Sequence, residues 1–137
     1  MNANTERARH WFEEVWNRGN ADAIDEMMAP DAVAYGMADP DGEPPQGPDG
    51  FRPLLLAIRG AFPDIHITVD DAIGEDDTVA VRCTVRGTHQ GEWMGVEATG
   101  RPVEITGMTF TVWKEGKMVE AWNCFDFAGL YEQISDY

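Results

Sequence analysis

The sequence predicts an α+β domain in which N-terminal helices lie across a curved antiparallel sheet. Two observations carry this expectation. Apolar residues recur every three to four positions as far as Phe62, and at every second position from Ile65 onward. Turn sequences at Gly74-Glu75-Asp76-Asp77 and at Glu115-Gly116 then separate the later runs, which makes neighbouring strands hairpin partners. Helices first and antiparallel strands afterwards is the order of an α+β fold, and 137 residues suit one domain, so the chain is read as a single unit over 1–137.

Each element follows from its own residues. Ala8, Trp11, Phe12, Val15 and Trp16 form an amphipathic stripe, which predicts a helix over 4–18 closed at Arg18-Gly19. Asn20 can cap a second short helix running to Met28, with Ile24, Met27 and Met28 turned inward and Pro30 barring continuation. Residues 32–35 read as a short strand. The stretch 36–47 is rich in proline, glycine and acids and reads as an exposed connection of the length that often serves as a lid. Within it Asp39-Pro40-Asp41-Gly42-Glu43 lacks the remaining ligand spacing of a calcium loop and reads as a solvated turn. Phe51, Leu54, Leu55, Ile58 and Phe62 mark a third helix. It starts near residue 49 or 50, so that Pro53 falls in its first turn, and it ends at Phe62-Pro63-Asp64. Strands are expected at 65–69, 79–85, 103–113 and 118–125, followed by a short helix from 127 to about 135 capped by Asp126.

Composition excludes several classes of function. Lys and Arg number 10 against 25 Asp and Glu, a net charge of −15, so nucleic acid and anionic membrane surfaces are unsuitable partners. No apolar run reaches membrane-spanning length and the N-terminus carries no hydrophobic signal core, which predicts a cytoplasmic protein. Cys83 and Cys124 each sit in an apolar strand, where a reduced, buried thiol is expected. His10, His66 and His89 fall on three separate elements without paired spacing, so no metal site is expected. Gly87, Gly91 and Gly95 precede no helix, which removes a dinucleotide fingerprint.

The last two strands point to a partner. Alternation puts Val103, Ile105, Gly107, Thr109 and Thr111 on one face and Met108, Phe110 and Val112 on the other. In the next strand Ala121, Asn123 and Phe125 oppose Met118, Trp122 and Cys124. A face carrying Phe110 and Trp122 does not belong in water, and so few helices cannot cover both faces of the sheet. A homodimer through the sheet is predicted.

The runs Phe12-Glu13-Glu14-Val15-Trp16-Asn17-Arg18-Gly19-Asn20, Ala61-Phe62-Pro63-Asp64, Gly87-Thr88-His89-Gln90-Gly91, Ala98-Thr99-Gly100-Arg101 and Glu120-Ala121-Trp122-Asn123-Cys124-Phe125-Asp126 resemble the SnoaL-like polyketide cyclases of the NTF2-like superfamily. The resemblance implies a cone-shaped α+β barrel with an apolar pocket, a small hydrophobic substrate and no cofactor. It also implies ring closure by aldol condensation, with an Asp directly after the Trp of the last strand and a His on the strand before. Here those positions hold Asn123 and Thr109. An amide has no accessible protonation change, so Asn123 cannot act as general base, though it can orient a carbonyl through its N–H donors.

Four residues are candidates for chemistry. Asn123 is either satisfied by neighbouring backbone or in contact with ligand. Asp126 is either the helix cap or the substitute carboxylate. His89 is either a turn-stabilising hydrogen-bonder or an acid or base, and Tyr35 either polarises an enolising carbonyl or is a rim aromatic. Trp16, Phe12, Thr109, Ile105, Phe125 and Phe51 are the candidate substrate-binding walls. The function expected is cofactor-independent cyclisation or isomerisation of a polyketide-type ketone; the alternative is a non-catalytic binder of a hydrophobic ligand.

Overall fold

The computed structural model describes residues 2–37 and 43–135. In chain order its elements are α1 (Ala3–Trp11), a π-helical segment (Phe12–Asn17), α2 (Asp22–Met27), β1 (Met28–Tyr35), α3 (Gly47–Ala61), β2 (His66–Glu75), β3 (Thr78–Thr88), β4 (Pro102–Lys114), β5 (Lys117–Phe125) and α4 (Phe127–Ser135). The strands form one curved, unclosed sheet in the order β1-β5-β4-β3-β2, with the helices against its concave face. The proposed turn at 39–43 lies almost wholly outside the described residues. No described helix is long and apolar enough to cross a membrane.

β2 through β5 pair antiparallel as expected, but β1 runs parallel to β5. The two are distant in sequence, so no hairpin turn dictates their direction. β1 also starts at Met28 rather than 32. Its irregular register between Met28 and Val33 accommodates Pro30, whose missing N–H is tolerated on an edge strand.

The first helix is not uniform. Beyond Trp11 it widens, and the Arg18 N–H donates to the Glu13 carbonyl five residues back (2.9 Å). Neighbours on two sides hold the wide turns. The Asn17 side chain accepts from the Ile67 N–H (2.6 Å) and donates to the Ile67 carbonyl (3.0 Å), mimicking a strand residue on the open edge of β2. From α3, Arg59 Nη1 donates to the Trp16 carbonyl (2.6 Å). Trp16 is thereby fixed facing the sheet.

Three further differences have local causes. α3 begins at Gly47, so Pro53 lies inside the helix and not in its first turn, leaving the Asp49 carbonyl without its usual i+4 donor. β2 extends past Val69 because Asp70 drops out of the pairing and accepts from the Thr84 hydroxyl (2.6 Å). Met118 is buried rather than outward, because the β4–β5 register shifts between Val112 and Trp113 and reverses the alternation at that end.

Both cysteines are free thiols, but Cys124 is exposed on the convex face rather than buried. Cys83 is fully buried, and burial, reinforced by the Asp70 charge, pushes its thiol up to about 11.

Candidate active site

The concave face of the sheet and the helices bound an apolar hollow in two adjoining chambers. The outer one, about 60 Å³, is walled by Ile67, Val85 and Ile105 from the sheet and by Phe62 and Phe127 opposite. The inner one, about 30 Å³, reaches Thr109 and Asn123 beneath Phe12 and Phe51. Trp16, Met37 and Phe125 border both chambers and form the neck between them. Together the chambers have room for a few water molecules, and a multi-ring ligand would fit only if the walls moved.

Sheet register builds the inner end. Val81, Thr109 and Asn123 lie side by side across β3, β4 and β5, all on the concave face. Asn123 Nδ2 donates to the Tyr35 carbonyl (2.8 Å), so its amide is satisfied by neighbouring backbone while the residue borders the cavity. Thr109 is 4% exposed, and its hydroxyl has no partner among the described residues. Gly107 makes space for the neck, since a Cβ there would collide with the Phe125 ring lying across it. Gly36, in left-handed backbone, passes so close to the Asn123 carbonyl that a side chain would displace the strand end.

All six wall candidates border the hollow: Trp16 and Phe125 at the neck, Ile105 in the outer chamber, Phe12, Phe51 and Thr109 in the inner. Phe51 also meets Trp11 and Trp16 edge-on, at 5.3 and 5.8 Å between ring centres.

Of the four residues nominated for chemistry, Asn123 alone borders the hollow. Tyr35 is corrected: its ring stacks on Trp122 (4.2 Å) on the convex face, because alternation along β1 turns Ala34 inward and Tyr35 outward, and it gives the site only its backbone carbonyl. Asp126 follows its helix-cap alternative and not the substitute-carboxylate one. It is exposed, its carboxylate accepts from the Gly129 N–H (2.8 Å), and it serves α4 as cap.

His89 is fully buried but does not line the hollow; it lies behind Phe62, with ring centres 5.5 Å apart. Its Nδ1 accepts from the Thr99 N–H (3.3 Å) and meets the Thr99 hydroxyl at 3.0 Å. Its backbone N–H donates to the Arg101 carbonyl and its carbonyl accepts from Gly100. The Gly-Thr-His block and the Thr-Gly-Arg run thus clasp each other and close the base of the 89–101 loop. Asp64 completes the joint by accepting from both the N–H and the hydroxyl of Thr88 (each 2.7 Å), and the hydroxyl bond is the main reason its carboxyl sits below the ordinary range.

Sequence reasoning missed the outer walls Phe62, Phe127 and Trp93. Phe62 was assigned to the inward stripe of the third helix but not to the pocket, since periodicity does not separate core from cavity wall, and Phe127 starts a helix too short to show a facing. Trp93 carried a usable signal: a large aromatic inside a glycine-rich loop needs something to cover. Among the described residues no carboxylate or imidazole borders either chamber, and Arg86, which does, is paired with Glu104 (2.7 Å).

Comparison with known proteins agrees with this architecture. Curated proteins give no match. Among solved structures, a candidate SnoaL-like polyketide cyclase from Jannaschia superposes with TM-score 0.88 at 22% identity, covering 98% of this chain and 92% of that one, which speaks for the fold alone. IdmH, a candidate polyketide cyclase from Streptomyces antibioticus, is 33% identical with TM-score 0.82 over 96% of this chain and 98% of its own. AclR from Streptomyces galilaeus, described as a candidate hydroxylase, is 31% identical with TM-score 0.79 over 96% and 82%. The family described as SnoaL-like polyketide cyclase matches residues 6–134, and with its curved sheet, covering helices and apolar hollow the chain belongs to that family.

Proposed function

We propose that this protein, in the cytoplasm and without a cofactor, binds a flat polyketide-type ketone in the hollow and promotes its cyclisation or isomerisation by holding it in a reactive fold. The observation that carries this reading is the unpartnered Thr109 hydroxyl beside the Asn123 amide at the blind end of an apolar cavity. The hydroxyl can donate to a carbonyl oxygen, and the second Asn123 N–H, not used by Tyr35, can do the same. Two donors aimed where negative charge develops would stabilise an enolate or alkoxide in a site poor in water. In an aldol closure the α-carbon loses a proton, the new carbon–carbon bond forms at the second carbonyl and that oxygen gains a proton. The net reaction therefore needs no oxidant, and preorganisation lowers its barrier.

Thr109→Val tests this. It removes the hydroxyl at nearly constant volume and should lower kcat/KM about 100-fold, the lower end of what the loss of one such donor costs. The melting temperature should hold or rise, because a buried hydroxyl without a partner is also removed. A variant with unchanged turnover rules Thr109 out of the site. The second reading, a non-catalytic binder, is favoured by the lack of any carboxylate or imidazole among the described lining residues. It predicts ligand-induced thermal stabilisation with no product from any ketone.

We further propose that the protein works as a homodimer joined through the convex face. Ile73, Ala80, Phe110, Trp122 and Tyr35 stand in one cross-strand row spanning all five strands, and Met108 flanks it. Ile73 (67%), Met108 (61%), Phe110 (50%) and Trp122 (48%) are exposed. Five strands about 4.8 Å apart and on average about 34 Å long present roughly 800 Å², which matches the area of about 800 Å² that each partner of a stable pair covers. The row carries no charge, so a second copy can meet it despite the acidity of the chain.

A further inference from the structure

The segment between β3 and β4 folds as a flap over the outer chamber. Its base is the clasp of His89 with Thr99, Gly100 and Arg101. Its tip turns at Met94 and Gly95, both in left-handed backbone (φ 53° and 80°), while Trp93 and Val96 exchange N–H···O bonds of 3.0 and 2.9 Å. From this tip the Trp93 side chain turns back into the chamber wall and meets Phe62 edge-on at 6.3 Å. Its indole Nε1–H is buried and has no partner among the described residues. An indole nitrogen donates and never accepts, and a buried one normally finds an acceptor. A phenyl ring would build the same wall without stranding a donor.

We propose that Trp93 is a specificity residue whose indole N–H binds an acceptor oxygen at the outer end of the substrate. The inference deepens the proposed function and rests on it: the substrate has a ketone oxygen at the Thr109 and Asn123 end and a second oxygen, carbonyl, ether or hydroxyl, about where the flap closes. That outer oxygen is neutral. Glu92 and Glu97 stand exposed on the flap of a chain with net charge −15, and Arg86 at the chamber wall is already held by Glu104, so a carboxylate meets repulsion there.

Emodin, a flat anthraquinone with oxygens on opposite edges, is the probe. Titration calorimetry on wild type, Trp93→Phe and Thr109→Val separates the two ends, and the Trp93 indole N–H resonance of 15N-labelled wild type, assigned by through-bond correlation, reads the contact directly. The expected result is a Kd about tenfold higher for Trp93→Phe and a downfield shift of that resonance when emodin binds wild type. An affinity of Trp93→Phe within twofold of wild type, or an unmoved resonance, overturns the inference; if Thr109→Val still weakens binding, the inner-end reading survives. Weakening by Trp93→Phe alone keeps the Trp93 contact and removes the inner one. Absence of emodin binding to wild type defeats both. The resonance is read on the wild-type chain, so the outcome does not depend on a variant folding.

Discussion

Replacing Asn123 with Asp is expected to speed turnover of a ketone substrate at least a hundredfold and to make the fold less stable at neutral pH. The cause of both effects is the Tyr35 carbonyl, which accepts from Asn123 Nδ2 at 2.8 Å. A carboxylate in that place faces an acceptor and is partly desolvated. Both influences favour the protonated form and raise its pKa above the ordinary value of about 3.9. A carboxyl titrating nearer neutrality is an effective general base, commonly contributing about 10²–10⁴ in rate. Because its folded pKa would be raised, the stability it contributes is complete below the unfolded value and is lost as pH rises through the folded one. The variant should therefore melt close to wild type near pH 4 and be about 2 kcal/mol less stable at pH 7, the scale of a buried polar group losing its partner. A pH–rate profile together with melting curves at several pH values reads both effects. Unchanged rate and unchanged ligand affinity would remove position 123 from the reacting centre.

Phe110→Glu is expected to separate the two copies of the chain. Phe110 is the middle member of the cross-strand row, so a dimer through this face brings both new carboxylates into its apolar centre. Leaving charges buried without partners costs about 3–5 kcal/mol, so the dimer Kd should rise by roughly three orders of magnitude. Sedimentation velocity at micromolar concentration measures this directly. The monomer should stay folded, because the side chain is 50% exposed without a partner. A wild-type chain that sediments as a monomer at tens of micromolar refutes the interface.

How far the sequence could be read depended on whether a residue lay inside a regular element. Ile105, Thr109 and Phe125 could be assigned to one face because strand alternation is strict within β4 and the end of β5. The same rule failed at Met118, since the irregularity between Val112 and Trp113 leaves no mark on composition. Tyr35 was misplaced because at a strand end the next residue turns the chain, and nothing in four letters says which face comes last. His89 and Trp93 belong to a loop whose shape comes from contacts with Thr99, Arg101 and Phe62, distant or unpatterned in sequence. The absence of a base at position 123 was visible directly from its amide. Its bond to Tyr35, 88 residues away, was not.

The widened end of the first helix holds one residue more than a regular spiral of the same rise would need. That surplus makes the segment a natural point for a single-residue deletion. Removing Glu13, which is exposed, should let the coil tighten to regular α-helical spacing while Trp16 keeps its place facing the sheet. The hollow should therefore keep its walls, measurable as unchanged affinity for a flat ligand. The surplus residue thus sits where the chain can lose one codon without moving the wall of its hollow.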